Sequence, residues 1–366
     1  MAVPLLDMKR QYDTIKDQVD SAVAKVLNHG WFILGPEVKE LEKKIAGMCG
    51  VSSGVGVACG TDALLLSLDA AGVGPGDEVI VPDYSFFASA GVVSRLGARP
   101  VFVDIEADTY NIDPTKIKDA ITSKTKAIMP VHLFGQIADM DPIMAIAKEH
   151  NLAVVEDAAQ AIGSTYKNQQ AGSIGDFGCF SFYPTKNLGA VGDAGMIVTN
   201  NADYTEKLLM LRMHGWKKKY FPEIIGYNSR LDSIQAAVLL VKLDYLKAWT
   251  EKRQEHADVY NKAFANTAIV TPAVKDYSYH IYNQYTIAVG NRDELMATLI
   301  DKKIGHDIYY PAPFHKLECY RELEYKDGDL PISEKAAESV VSIPIYPELT
   351  QAEQDEVIKA VKSVSA

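Results

Sequence analysis

Cysteine is scarce: the chain of 366 residues holds four. Cys49, Cys59, Cys179 and Cys319 form no CxxC or other paired spacing. A disulfide scaffold and a thiolate metal centre are thereby excluded, and reduced, mostly buried thiols are expected of a cytoplasmic protein. Positive charge is also short, with 37 Lys and Arg against 48 Asp and Glu and a formal net charge of −11. A nucleic-acid partner would demand a basic footprint, so none is expected. No apolar run approaches the roughly 18 residues of a membrane span, and the N-terminal MAVPLLDMKRQYDTIK has no apolar signal core. Neither export nor membrane insertion is expected.

Nucleotide loops are missing too. GVGPGDEV, residues 72–79, lacks a GK[ST] ending and precedes a strand pattern where a P-loop would follow one, so it reads as a turn. No GxGxxG follows a strand, which counts against an oxidoreductase using a dinucleotide. Neither HxxxH nor a carboxylate cluster marks a catalytic metal, and no repeat or low-complexity segment is visible.

What the chain does have is 48% hydrophobic residues, enough for a large domain and a smaller one. Helical spacing runs over Tyr12–Asn28 and again over Pro36–Met48, with the aromatic loop GWFILG between them. Apolar runs then alternate with turns and helix patterns, as in a largely parallel sheet. The expected strands are Val55–Cys59, Glu78–Pro82, Val101–Asp104, Ala127–Val131, Ala153–Glu156, Cys179–Phe182 and Met196–Thr199. From Ser229 to Phe264 the pattern is helical with few breakers, either one long element or two nearly continuous ones. The remainder alternates again (YNQYTIAV, GHDIYYP) and ends in a helix after Thr350. The expected division is an N-terminal helix and loop over 1–35, a large α/β domain over 36–245 and a small α+β domain over 246–366.

The chemistry centres on two residues. Asp157 closes an apolar strand in VVEDAAQAIGS, and Lys186 sits in SFYPTKNLGAVGDAG among small and apolar neighbours, with glycines at 189, 192 and 195. A carboxylate ending a buried strand wants a cation, and ligands of parallel sheets bind at the carboxyl ends of strands. Burial lowers a lysine pKa and supplies the neutral amine that Schiff-base chemistry requires. Together they are equipment for pyridoxal phosphate, the lysine engaging the aldehyde and the aspartate the pyridine nitrogen. Ser181, five residues before Lys186, can reach a phosphate. So can the turn Gly60–Thr61, which opens a helix after a strand, although Thr61 or Asp62 could serve simply as an N-cap. Phe86, at a strand end, could cover a flat ring, and Gln160 could meet its phenolic oxygen.

These segments resemble the pyridoxal-phosphate sugar aminotransferases of the DegT/StrS type. GWFILGPEV, GTDAL, GVGPGDEVIVP, VEDAAQ, SFYPTKNLG, GYNSRLDSIQAA, YYPAPFHK and SIPIYPEL follow in that order over essentially the whole chain. The resemblance implies the fold of type I pyridoxal-phosphate transferases, with a mixed seven-stranded sheet. It makes Lys186 the Schiff-base lysine, Asp157 the pyridinium partner, Gln160 the phenolic-oxygen contact, Phe86 the stacking ring, and Ser181, Gly60 and Thr61 the phosphate holders. It also implies a homodimer in which Asn228 reaches the neighbouring subunit's phosphate. One departure is GDAG where the family often has GDGG, placing Ala194 at a glycine position. Relatives with histidine in place of the lysine dehydrate; here Lys186 implies transamination, with L-glutamate as donor.

The implied acceptor is a nucleotide-linked keto sugar. RMHGWKKKYFPEIIGYNSRLD resembles members acting on 3-keto sugars and making amino sugars for lipopolysaccharide or secondary metabolites; a 4-keto sugar is the alternative. Lys217 to Lys219 could meet the diphosphate or form only a solvated loop. Arg230, Tyr309, Tyr310 and His315 are further substrate-side candidates. A non-catalytic pyridoxal-binding regulator is the other reading that stays open.

Overall fold

The computed structural model describes residues 2–364. Seven strands form the central sheet: β1 (Ser53–Val57), β2 (Glu78–Pro82), β3 (Arg99–Val103), β4 (Thr125–Ile128), β5 (Ala153–Asp157), β6 (Phe177–Ser181) and β7 (Gly195–Thr199). Their order across the sheet is β1-β7-β6-β5-β4-β2-β3. Each expected strand is present, its ends shifted by up to three residues. The sheet is mixed, because β7 runs antiparallel to both neighbours, β1 and β6. A parallel return needs a crossover, and the Phe182–Ala194 connection contains no helix, so the chain comes back antiparallel.

This topology places the C-terminal ends of β1 to β6 along one edge. Asp83 and Asp104 lie just past β2 and β3 there, Asp157 ends β5, Ser181 ends β6, and Gly60 follows β1. Each face of the sheet buries its own core. Ile80, Ile128, Val154, Phe180 and Met196 pack on one side, and Val79, Val81, Val155, Cys179 and Ile197 on the other. The alternation along each strand is the two-residue period that divides its side chains between the faces.

The N-terminal helices are α1 (Met8–His29) and α2 (Pro36–Cys49); α3 (Gly60–Ala70) leads from β1 and α4 (Ala88–Arg95) follows β2. The long helical region after Asn228 is two helices, α5 (Ser233–Leu243) and α6 (Leu246–Phe264), separated at Asp244 and Tyr245. A second core joins α6 to β8 (Tyr285–Ala288), α7 (Arg292–Asp301), β9 (Val340–Ile343) and α8 (Gln351–Lys362). Thr350 opens α8 through a reciprocal capping box with Glu353. GHDIYYP forms no strand and makes only a bridge between Asp307 and Ser342. Val3 packs into this second core, whereas Phe314, Tyr320 and Leu330 pack into the sheet core, so the C-terminal chain grips the large body. Among the described residues, no helix is long and apolar enough to cross a membrane.

Candidate active site

Asp157 lies at the end of β5 and is 5% exposed. Its Oδ2 accepts from Ser89 Oγ at 2.8 Å and its Oδ1 from the Ala159 amide at 3.2 Å. Among the described residues no cation approaches within ion-pair distance. Burial raises its pKa, against the hydrogen bonds from Ser89 and Ala159 and the charge of Lys186. A carboxylate this deep and without a counter-cation is unfavourable unless a positive group completes it.

Lys186 supplies the opposite case. Its backbone amide closes a turn onto the Tyr183 carbonyl at 2.9 Å, while its Nζ makes no hydrogen bond to the described residues. Desolvation lowers its pKa to about 8, opposed by the charge of Asp157. The residue keeps part of its surface open to the cleft, but its amine lies deep enough for burial to outweigh that attraction.

The rest of the group gathers around this pair. Gln160 Nε2 donates to the Tyr310 hydroxyl at 3.2 Å, and its Oε1 accepts from the Phe134 amide at 2.6 Å. Phe134 holds a left-handed backbone with φ of 58°, an unfavourable conformation for a bulky side chain. Phe86 is 57% exposed, and its ring centroid stands 6.2 Å from that of Tyr310. Burial and the nearby Asp157 charge both raise the Tyr310 pKa, so the phenol stays protonated.

The phosphate candidates also converge. A Cβ at Gly60 would come within 2.5 Å of Ser181 Cβ, so only glycine lets the start of α3 approach β6 this closely. Thr61 follows in the first turn, where free amides and the helix dipole favour an anion. Neither Thr61 nor Asp62 is the N-cap; Cys59 Sγ accepts from the Asp62 amide. Ala194 is fully buried in the core, so its methyl is packed where glycine was expected.

Three sequence candidates lie elsewhere. Asn228 is exposed and Arg230 partly exposed on the arm that carries Trp216–Lys218 and Phe221–Pro222. Arg230 lines a cleft of about 720 Å³ with Trp216, Lys217 and Lys219. Lys217 pairs with Glu206. The cleft that Arg230, Lys217 and Lys219 line includes no residue of the Asp157 group. Tyr309 lines a small cavity of about 100 Å³ with Thr185, Arg253, Asn283 and Gln284. The ring of His315 is buried against Asp83 and Glu334. A carboxylate just past β2 and another on the helix Pro331–Ser339 draw it inward, a pairing that no local spacing announces.

Residues 13–362 match the DegT/DnrJ/EryC1/StrS aminotransferase family. The chain belongs to that family. It is 43% identical to the UDP-N-acetyl-3-dehydro-α-D-glucosamine 3-aminotransferase of Acidithiobacillus ferrooxidans, over 96% of this chain and 94% of that one. It is 48% identical to a pleiotropic regulatory protein of Geobacillus stearothermophilus, over 99% and 98%. Among solved structures, DesV of S. venezuelae in complex with a ketimine intermediate superposes with a TM-score of 0.97 at 40% identity, covering 99% of this chain and 98% of that one. Two residues of the group, Ser89 and Tyr84, were not singled out in the sequence. Ser89 holds Asp157, and Tyr84 holds the Tyr310 backbone through its hydroxyl. The only sequence signal for Ser89 is its helical spacing from Ser85, whose hydroxyl it meets at 3.2 Å.

Proposed function

We propose that this protein is a pyridoxal-phosphate-dependent aminotransferase, moving an amino group from L-glutamate to the ketone of a nucleotide-linked 3-keto sugar to give a 3-amino sugar. The observation that carries this reading is the opposed pair, close enough for each to feel the other's charge: a buried carboxylate without an ion-pair partner and a lysine amine without a hydrogen bond. The residues present fit the cofactor. Asp157 would hold the proton on its ring nitrogen, Phe86 would cover its ring, Gln160 would meet its phenolic oxygen, and Gly60, Thr61 and Ser181 would hold its phosphate. When bound, pyridoxal phosphate supplies an electron sink for the carbon from which the proton leaves.

Lys186 Nζ then has two tasks, attachment and proton transfer. An amine with pKa near 8 is close enough to neutral pH to take a proton from the donor's α-carbon and return one to C3 of the sugar. The buried walls around Asp157 exclude water from that transfer. We further propose a cytoplasmic homodimer. Phe32 and Leu34 pair with Ser233 and Leu231, placing the exposed Trp31, Phe32 and Ile33 beside the arm of Asn228 and Arg230. An apolar face bordering this arm fits a second copy of the chain, whose Asn228 would reach the phosphate and whose Arg230, Lys217 and Lys219 would meet the sugar nucleotide. The 3-keto position draws its support from the Acidithiobacillus relative.

The Geobacillus relative's name favours a second reading, a pyridoxal-binding regulator. One experiment separates them. The purified holoprotein should be yellow, and L-glutamate should bleach it with release of one 2-oxoglutarate per site; a 3-keto sugar nucleotide should restore the colour. Colour that persists in glutamate supports the regulator, and recovery with a 4-keto sugar alone overturns the 3-keto assignment.

A further inference from the structure

The buried cluster of Asp83, His315 and Glu334 has no part in the chemistry described above, yet it stands behind a segment that does. Residues 309–316 bring Tyr310 to Gln160 and Phe86. The Tyr310 backbone is held at both ends by one hydroxyl: its amide donates to Tyr84 Oη at 2.5 Å, and that hydroxyl donates to its carbonyl at 3.0 Å. Tyr84 directly follows Asp83 at the end of β2. Asp83 in turn receives the Phe314 amide on its carbonyl at 2.8 Å and the His315 amide on Oδ1 at 2.9 Å.

Both ring nitrogens of His315 face carboxylates. Nδ1 lies 2.5 Å from Asp83 Oδ2 and Nε2 lies 3.2 Å from Glu334 Oε1, with the side chains of His315 and Asp83 1% and 0% exposed. Only Nδ1 is aligned for a hydrogen bond, while Nε2 meets Glu334 by proximity without one, so it is the nearness of two carboxylates that favours the doubly protonated ring. Glu334 is itself fixed. It sits in the helix Pro331–Ser339, whose first turn is anchored to Asp104 just past the end of β3 by the amides of Ile332 and Ser333 and by Ser333 Oγ. The ring therefore bridges β2 to an element already tied to β3.

We propose that His315 is a positioning residue for the transfer: its imidazolium, clamped between Asp83 and Glu334, sets the Tyr309–Tyr310 segment, and with it Gln160, against the cofactor face. This rests on the aminotransferase reading for its catalytic consequence but not for the clamp itself. The titratable and charged groups around the ring are Asp83 and Asp104 from the strand ends, Glu334 from the helix, Lys316 from its own loop, Asp327 beyond Lys316, and Tyr325, whose ring lies 6.2 Å away. Burial alone would lower the His315 pKa, but the bond and charge of Asp83 and the charge of Glu334 outweigh it and raise the value. Asp83 is pushed up to about 6 by burial, against the pull of His315. The pair thus retains a proton that the separated groups would release sooner. The clamp needs His315 protonated and Asp83 ionised: it is lost as pH rises through the raised His315 value, and it weakens as pH falls below about 6, where Asp83 takes up a proton.

The test uses the holoenzyme and the His315→Gln variant, which keeps a donor for Asp83 but carries no charge, with Glu334→Gln as a second, milder change. Amide exchange is followed at Tyr310, Phe314 and His315 as protection relative to an unstructured chain. Wild type should be protected near pH 6 and lose protection as pH rises. His315→Gln should show weak protection with no pH dependence, and Glu334→Gln an intermediate loss. In both variants the cofactor should still attach to Lys186, while kcat falls roughly ten- to hundredfold for His315→Gln with little change in KM. Unchanged protection in His315→Gln would overturn the proposal, as would a loss spread equally over the sheet amides, which marks a merely structural role. A rise in sugar KM with protection intact would return His315 to the substrate side and overturn it too. The exchange arm needs no substrate, so a protein that transfers no amine would refute the aminotransferase reading while still reporting on the clamp.

Discussion

The interior around Asp157 and the arm hold charge in opposite ways. Around Asp157 and Lys186 each charged group is buried and incompletely compensated within the chain, and its direction is set by hydrogen bonds from Ser89, Ala159 and the Tyr183 turn. On the arm, Lys217 and Lys219 are exposed, Arg230 is partly exposed, and Lys217 already has Glu206 as a partner. Low-dielectric surroundings magnify every interaction in the first region, whereas water and salt weaken those in the second. Chemistry is therefore expected from the interior, and capture of a large anionic substrate from the arm.

Four experiments would break or sharpen that contrast. Lys186→Ala should reduce turnover by about 10³-fold or more in a steady-state assay while leaving the fold intact by circular dichroism; residual activity within tenfold of wild type would remove the interior from its central place. Asp157→Asn should lower kcat by roughly 10²-fold, yet raise the melting temperature of the cofactor-free protein near neutral pH. The sign follows from its raised pKa: a carboxyl that holds its proton more tightly folded than unfolded favours the fold at low pH, and this advantage is lost as pH rises through that value. A cofactor-free melting temperature that drops instead would mean that Asp157 already has compensation inside the chain.

The next test joins the two regions. Lys186→Ala and the double variant Asn228→Ala/Arg230→Ala should each be poorly active alone, but refolded together in equal amounts they should recover about a quarter of wild-type turnover, because mixed dimers hold one intact site. No recovery would place both halves of each site in a single protomer. The smallest effect belongs to Lys217→Ala/Lys219→Ala, expected to raise the sugar-nucleotide KM by about three- to tenfold at low salt and less at high salt. A salt-independent change would count against a phosphate contact.

Much of the interior was legible in the chain because its signals are local. The strand ending in Asp157, the lysine in a glycine-flanked turn and the Gly60 turn each depend on a few neighbouring residues, and the structure places them on one sheet edge. The antiparallel β7 was not read, since the pattern MIVT is the same in either direction. Ser89 and Tyr84 were passed over because their partners, Asp157 and Tyr310, are far away in sequence. The surroundings of His315 were not legible either: the carboxylates against which its ring is buried, at 83 and 334, lie outside the motif YYPAPFHK.

By itself, then, the sequence determined the alternation of strands and helices, a lysine among small and apolar neighbours and a carboxylate closing a strand, and the order of motifs that marks the family, since period and residue type suffice for each. Tertiary structure alone decided which charges stay uncompensated, which side chains hold Asp157 and Tyr310 in place, and that the arm's cations line a cleft that includes no residue of the Asp157 group. Those outcomes depend on distances between residues far apart in the chain, and burial and hydrogen-bond geometry are set only when the sheet edge and the C-terminal segment come together.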